Sequence, residues 1–144
     1  ESEFRNWPIT DAGLKELAAL TNLKKLTLHY TKNVTDAGLK DVFRLKGLQL
    51  LDLGASGVTD AGMKDLAALP SLQDLDLSHT QVTGTGLGEL AGLKDLQFLS
   101  LRKSSVTDAG LKGVGKLQHL RWLDISETKI TDAGLKELTG LKDL

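Results

Sequence analysis

The chain has 144 residues, 40% of them hydrophobic, no cysteine and a formal net charge of −1. That composition supports a buried core, and it excludes a disulfide framework, a thiolate metal site and a cysteine nucleophile. Near-neutral charge argues against general affinity for nucleic acid or membrane, and no stretch is long and apolar enough to span a bilayer.

Taken from the N-terminus, residues 1–9 align with the tail of a repeat unit, Phe4 standing at a strand leucine position and Ile9 where later units carry Val82. Thr-Asp-Ala-Gly-Leu follows at 10–14, returns at 35–39, 107–111 and 131–135, and has variants at 59–63 and 83–87, so successive copies start 25, 24, 24, 24 and 24 residues apart. A fixed period of this length marks a solenoid, in which units that cannot bury an apolar face alone stack into one core. Leading leucines recur at Leu23, Leu48, Leu72, Leu96, Leu120 and Leu144. The period-two pairs after them predict five strands, at 26–28, 51–53, 75–77, 99–101 and 123–125.

Each Thr-Asp-Ala-Gly predicts a helix start, with the Thr hydroxyl as N-cap and Asp favoured by the helix dipole. Leu14, Leu17 and Leu20 are expected to face inward, like Leu39, Val42 and Leu45. The recurrent glycine (Gly13, Gly38, Gly62, Gly86, Gly110, Gly134) costs helix stability, which points to close approach of neighbouring units. Gly84, Gly86 and Gly88 lack the Lys-Ser/Thr of a phosphate loop and read as a loosened helix, as do Gly113 and Gly115. Pairs such as Lys64-Asp65 read as a solvated outer surface.

The full pattern, Leu-x-x-Leu-x-Leu-x-x-Thr-x-(Val/Ile)-Thr-Asp-Ala-Gly-Leu-Lys-x-Leu, resembles the leucine-rich repeat over essentially the whole chain. Within that family it is most similar to bacterial relatives of the cysteine-containing subclass. The resemblance implies an α/β fold: a right-handed solenoid with a parallel concave sheet and short convex helices. It implies one domain over 1–144, with about five full repeats and partial terminal units. Thr31, Ser56, Thr80, Ser104 and Thr128 occupy the family's Cys or Asn position, where a side chain bonds loop backbone. Both ends fall inside a repeat, so the sequence reads as a segment of a longer array, capped at most by Phe4, Trp7 and Pro8 and able to self-associate through its last rung. The lack of cysteine-rich caps leans towards a cytoplasmic setting.

Function is expected on the concave sheet, where residues alternating with leucines point outward. One column there reads Lys25, Leu50, Asp74, Phe98, Trp122; the next Thr27, Asp52, Asp76, Ser100, Asp124; the third His29, Gly54, Ser78, Arg102, Ser126. Neighbouring strands lie about 4.8 Å apart, so Phe98 and Trp122 are expected side by side as exposed anchors; a plain cross-strand pair is the alternative. Asp52, Asp74 and Asp76 make an acidic patch in which like charge raises a carboxylate pKa. An open sheet lacks the walls of a catalytic site and the oxygen cage of Ca²⁺, so no catalytic residue, metal or cofactor is assigned, and the three histidines are set aside. The extra residue near Lys32-Asn33 singles out Tyr30, beside an expected loop.

The reading is a non-enzymatic module that binds a protein or peptide through Leu50, Asp52, Asp74, Asp76, Phe98, Arg102, Trp122, Asp124 and Tyr30. The alternatives are a self-assembling structural segment, or the substrate-reading adaptor of an F-box-like or effector ubiquitin ligase.

Overall fold

The computed structural model describes residues 2–3 and 7–144. Six parallel strands lie in chain order in one sheet: β1 (Ser2–Glu3), β2 (Lys25–Thr27), β3 (Leu50–Asp52), β4 (Asp74–Asp76), β5 (Phe98–Ser100) and β6 (Trp122–Asp124). The sequence predicts five of these, one residue further on. The sixth is β1, which pairs Ser2 with Leu26 and Glu3 with Thr27. Phe4 lies outside the described residues, while Trp7 and Pro8 are exposed.

Helical segments return the chain from each strand to the next: α1 (Asp11–Leu17), α2 (Asp36–Val42), α3 (Met63–Leu66, entered through a 3₁₀ turn at Asp60–Gly62), α4 (Asp108–Val114) and α5 (Asp132–Leu135). Between β4 and β5 the return is only a 3₁₀ helix, Leu87–Gly92, which fits the loosened helix expected from Gly84, Gly86 and Gly88. The same expectation fails for Gly113 and Gly115. There α4 is a regular seven-residue helix, and a Cβ on Gly113 would stand 2.8 Å from the Gly88 nitrogen, so this glycine serves packing.

The leucine columns form one continuous core. Leu26, Leu51, Leu75 and Leu99 are fully buried, as are Leu28, Leu53, Leu77 and Leu101. Burial falls off at the two ends, where a unit has a neighbour on one side only among the described residues. Leu17 is therefore half-buried and Leu20 is 51% exposed, contrary to the inward placement expected for it, whereas Leu45 one unit later is fully covered. At the other end Leu123 and Ile125 are half-buried, and Leu135 is exposed where Leu39, Leu87 and Leu111 are not.

Adjacent units are joined by the helix-start motif itself. Asp11 accepts the backbone N–H of Thr35 at 2.7 Å and its hydroxyl at 2.8 Å. Asp36 does the same for Thr59, Asp60 for Thr83 and Asp108 for Thr131. The motif glycine makes room for this latch: a Cβ on Gly38 would lie 2.5 Å from Asp11 Oδ1. The latch also orients the N-cap. Thr35, Thr59 and Thr131, which give their proton to an Asp of the unit before, accept from Ala37, Ala61 and Ala133 at 3.3 Å. Thr10 and Thr107 have no latching Asp among the described residues and make no side-chain cap. At Thr107 the reason is Gly84, which replaces the motif aspartate of the previous unit and leaves only a 3.4 Å bond from Thr107 N to the Thr83 carbonyl.

On the strand side, Thr31, Thr80, Ser104 and Thr128 donate their hydroxyls to the carbonyl three residues back, at 2.5–2.6 Å. Ser56 departs, accepting from Val58 N at 3.4 Å. The residue before each is left-handed: Tyr30, Ala55, His79, Lys103 and Glu127, with φ between 53° and 64°. Such a conformation costs a non-glycine residue about 1–2 kcal/mol. At four of the five the backbone N–H is taken up by a carbonyl of the next unit, as where Tyr30 N donates to the Gly54 carbonyl and His79 N to that of Arg102, both at 2.8 Å.

Candidate functional site on the sheet face

Strand register sets the outward residues in rows. Leu50, Asp74, Phe98 and Trp122 are successive partners along one row, and Asp52, Asp76, Ser100 and Asp124 along the next. Two short side chains assigned to the outward columns, Thr27 and Ser78, are buried. Phe98 and Trp122 are 42% and 48% exposed. They are register partners, as the column spacing requires. No stacked or edge-on ring pair forms between them; both instead line a hollow of about 350 Å³ together with Asp74, Asp76 and Ser100.

The three clustered carboxylates differ in their surroundings. Asp52 Oδ1 accepts from Gly54 N at 2.9 Å and lies 2.9 Å from His29 Nδ1. Asp76 Oδ1 accepts from Ser78 N at 2.7 Å. The Asp74 carboxylate has no hydrogen-bond or ion-pair partner among the described residues, and its pKa is pushed up by burial first, then by the charges of Asp76 and Asp52. The upward shift expected of the patch thus falls on the member without support.

His29 belongs with this group, which corrects the sequence reading that set the histidines aside. Gly54 explains how: a Cβ at that position would run into the imidazole, so its absence lets the ring lie across the next unit towards Asp52. His29, Asp52 and Asp76 each present one ligand-type atom within 4.8 Å of the others. A metal ion there would compete with the His29–Asp52 hydrogen bond. A glycine in an otherwise polar outward column was the available signal.

The remaining candidates lie apart from the hollow. Arg102 pairs with Glu127 at 2.5 Å, and Lys103 joins the same carboxylate at 3.1 Å. Asp124 is occupied by Ser126, whose hydroxyl and backbone N–H hold its pKa low against partial burial, with help from Arg102. Leu50 is half-buried. Tyr30 is 51% exposed in the left-handed turn and meets the His29 ring edge-on at 4.5 Å between centroids.

The glycine-rich turn at 84–88 does bind an anion, but the anion is the chain's own. Gly84 N and Gly86 N donate to Asp60 Oδ1 at 3.0 and 2.9 Å, while Thr83 takes Oδ2. Burial works to raise the Asp60 pKa, and the bonds from Gly86, Thr83 and Gly84 together outweigh it, so the net shift is downward.

Comparison with known proteins agrees with this architecture. A family model described as Leucine Rich repeat matches residues 68–91 and 116–138. The fold is similar to that of an internalin (inlF) from Listeria monocytogenes, with a TM-score of 0.70 and 25% sequence identity over 97% of this chain. The match spans 45% of the internalin chain. No curated protein matches the sequence.

Proposed function

We propose, from its leucine-rich repeat solenoid fold, that the chain is a protein-interaction module whose concave sheet face holds a protein or peptide. The observation that carries the reading is the pair Phe98 and Trp122, large aromatics left exposed side by side in register on a rigid sheet beside an open hollow. Aromatic anchors that become buried on binding dominate the binding energy at protein interfaces. The sheet supplies precise spacing without movement, so little ordering cost is added on binding.

The test compares proteins retained by the immobilised chain with those retained by the Phe98→Ala/Trp122→Ala double variant, each retained protein then being purified and titrated. Loss of binding with an unchanged circular-dichroism spectrum supports the sheet face. Retention by the double variant, with loss in Lys64→Glu on the helical side, refutes it.

A further inference from the structure

The hollow between β4 and β6 has two unlike sides: carboxylates of Asp74 and Asp76 from β4, and the rings of Phe98 and Trp122 from β5 and β6, with Ser100 among them. An apolar partner group would satisfy the rings and strip water from the carboxylates uncompensated, which is costly. An anion would meet Asp52, Asp74 and Asp76 together. A cation satisfies both sides, since aromatic faces and carboxylates attract positive charge.

The chain does not supply that cation itself. Among the described residues no Lys or Arg forms an ion pair with Asp52, Asp74 or Asp76. Arg102 is held by Glu127, and His29 is turned to Asp52. Asp74 keeps both oxygens without a partner, and Asp76 keeps Oδ2. A divalent ion on His29, Asp52 and Asp76 would leave Asp74 and both rings unused.

Resting on the sheet-face reading, we infer that the hollow receives the guanidinium of an arginine side chain from the bound polypeptide, forked onto Asp74 and Asp76 and stacked against Phe98 or Trp122. The planar guanidinium is more weakly hydrated than an ammonium and offers paired donors as well as a stacking face. The volume of about 350 Å³, open to solvent, suits one side chain entering from a partner lying over the sheet.

The experiment is a ¹H–¹⁵N NMR titration of the labelled protein with three capped tripeptides, Gly-Arg-Gly, Gly-Lys-Gly and Gly-citrulline-Gly, the Trp122 indole signal being assigned with Trp7→Phe. The arginine peptide is expected to shift the Trp122 indole and the amides of Asp74, Asp76 and Phe98. The lysine peptide should bind about threefold or more weakly, and the neutral citrulline peptide should leave these signals in place. Asp74→Asn/Asp76→Asn, whose dispersed spectrum confirms folding, should weaken the arginine response by about tenfold. No response, equal responses to arginine and citrulline, or lysine binding as well as arginine, overturns the assignment. A partner that depends on Phe98 and Trp122 but is indifferent to Asp74→Asn/Asp76→Asn also overturns it, while leaving the sheet-face reading standing.

Discussion

Asp36 of one unit grips Thr59 of the next with both carboxylate oxygens, taking its backbone N–H at 2.9 Å and its hydroxyl at 2.6 Å. The same two residue types, four places along the chain, tie one helix start to the next and fix how closely the units stack. Asp132 belongs to the same motif but has no such partner among the described residues. Asp36→Ala should therefore cost about 1–3 kcal/mol, the range for a charge-assisted hydrogen bond removed from a supported group. Asp132→Ala should stay within about 0.5 kcal/mol of wild type. Urea denaturation of the two variants checks this, and equal losses would mean that the aspartates act only through their own helices.

The motif glycines should separate in the same way. Among the described residues a Cβ on Gly13 would meet only the Ile9 side chain, at 3.4 Å, so Gly13→Ala should stabilise by up to about 1 kcal/mol through helix propensity. Gly110 faces the Thr83 carbonyl oxygen too closely for a Cβ, and Gly110→Ala should lower the melting temperature. Restoring the consensus with Gly84→Asp should also destabilise. Gly84 has φ of 95°, and a Cβ there would lie 2.7 Å from the Gly110 Cα.

Leucine and carboxylate substitutions on the sheet test which way each face points. Leu53→Ala and Leu77→Ala remove fully buried side chains and should cost about 2–5 kcal/mol each. Asp52→Ala and Asp76→Ala lose bonds to Gly54 N and Ser78 N, at about 0.5–1.5 kcal/mol per bond. Asp74→Asn removes a charge from a half-buried, unpartnered site and should raise stability at neutral pH. A denaturant series ranking Asp74→Asn with the leucine variants would overturn this account.

Acid should act through two opposed groups. Asp60 has a pKa below its ordinary 3.8 in the folded chain, so the unfolded state binds more protons; its contribution is present above 3.8 and fades as pH falls through the lower folded value. Asp108, Asp124 and Glu127 shift in the same direction. Asp74 is raised above 3.8, so stability falls as pH rises from that value through the folded one. Thermal melts across this window should show a flatter acid loss for Asp60→Asn than for wild type. The advantage of Asp74→Asn should disappear on acidification below 3.8.

The leucine columns, the parallel strands and the helix starts are written in the sequence because each depends on local period and on one residue type repeated in register. Outward placement of Phe98 and Trp122 follows from the same alternation. The links between units are harder to read: Asp11 and Thr35 look like local capping residues, and their bond crosses 24 positions. The left-handed turns are harder still, since Tyr30, Ala55, His79, Lys103 and Glu127 share no side-chain chemistry; the first four donate their backbone N–H to a carbonyl of the next unit. Sequence placed Asp52, Asp74 and Asp76 together, and Asp52 and Asp76 each bond a backbone N–H two residues on in their own unit; only stacking brought His29 across Gly54 to Asp52 and set Asp74, its carboxylate unpaired, beside the aromatic rings. Periodicity along the chain fixes which residues share a face, whereas the bonds that cross from one unit to the next depend on groups that come within reach only once the units have stacked.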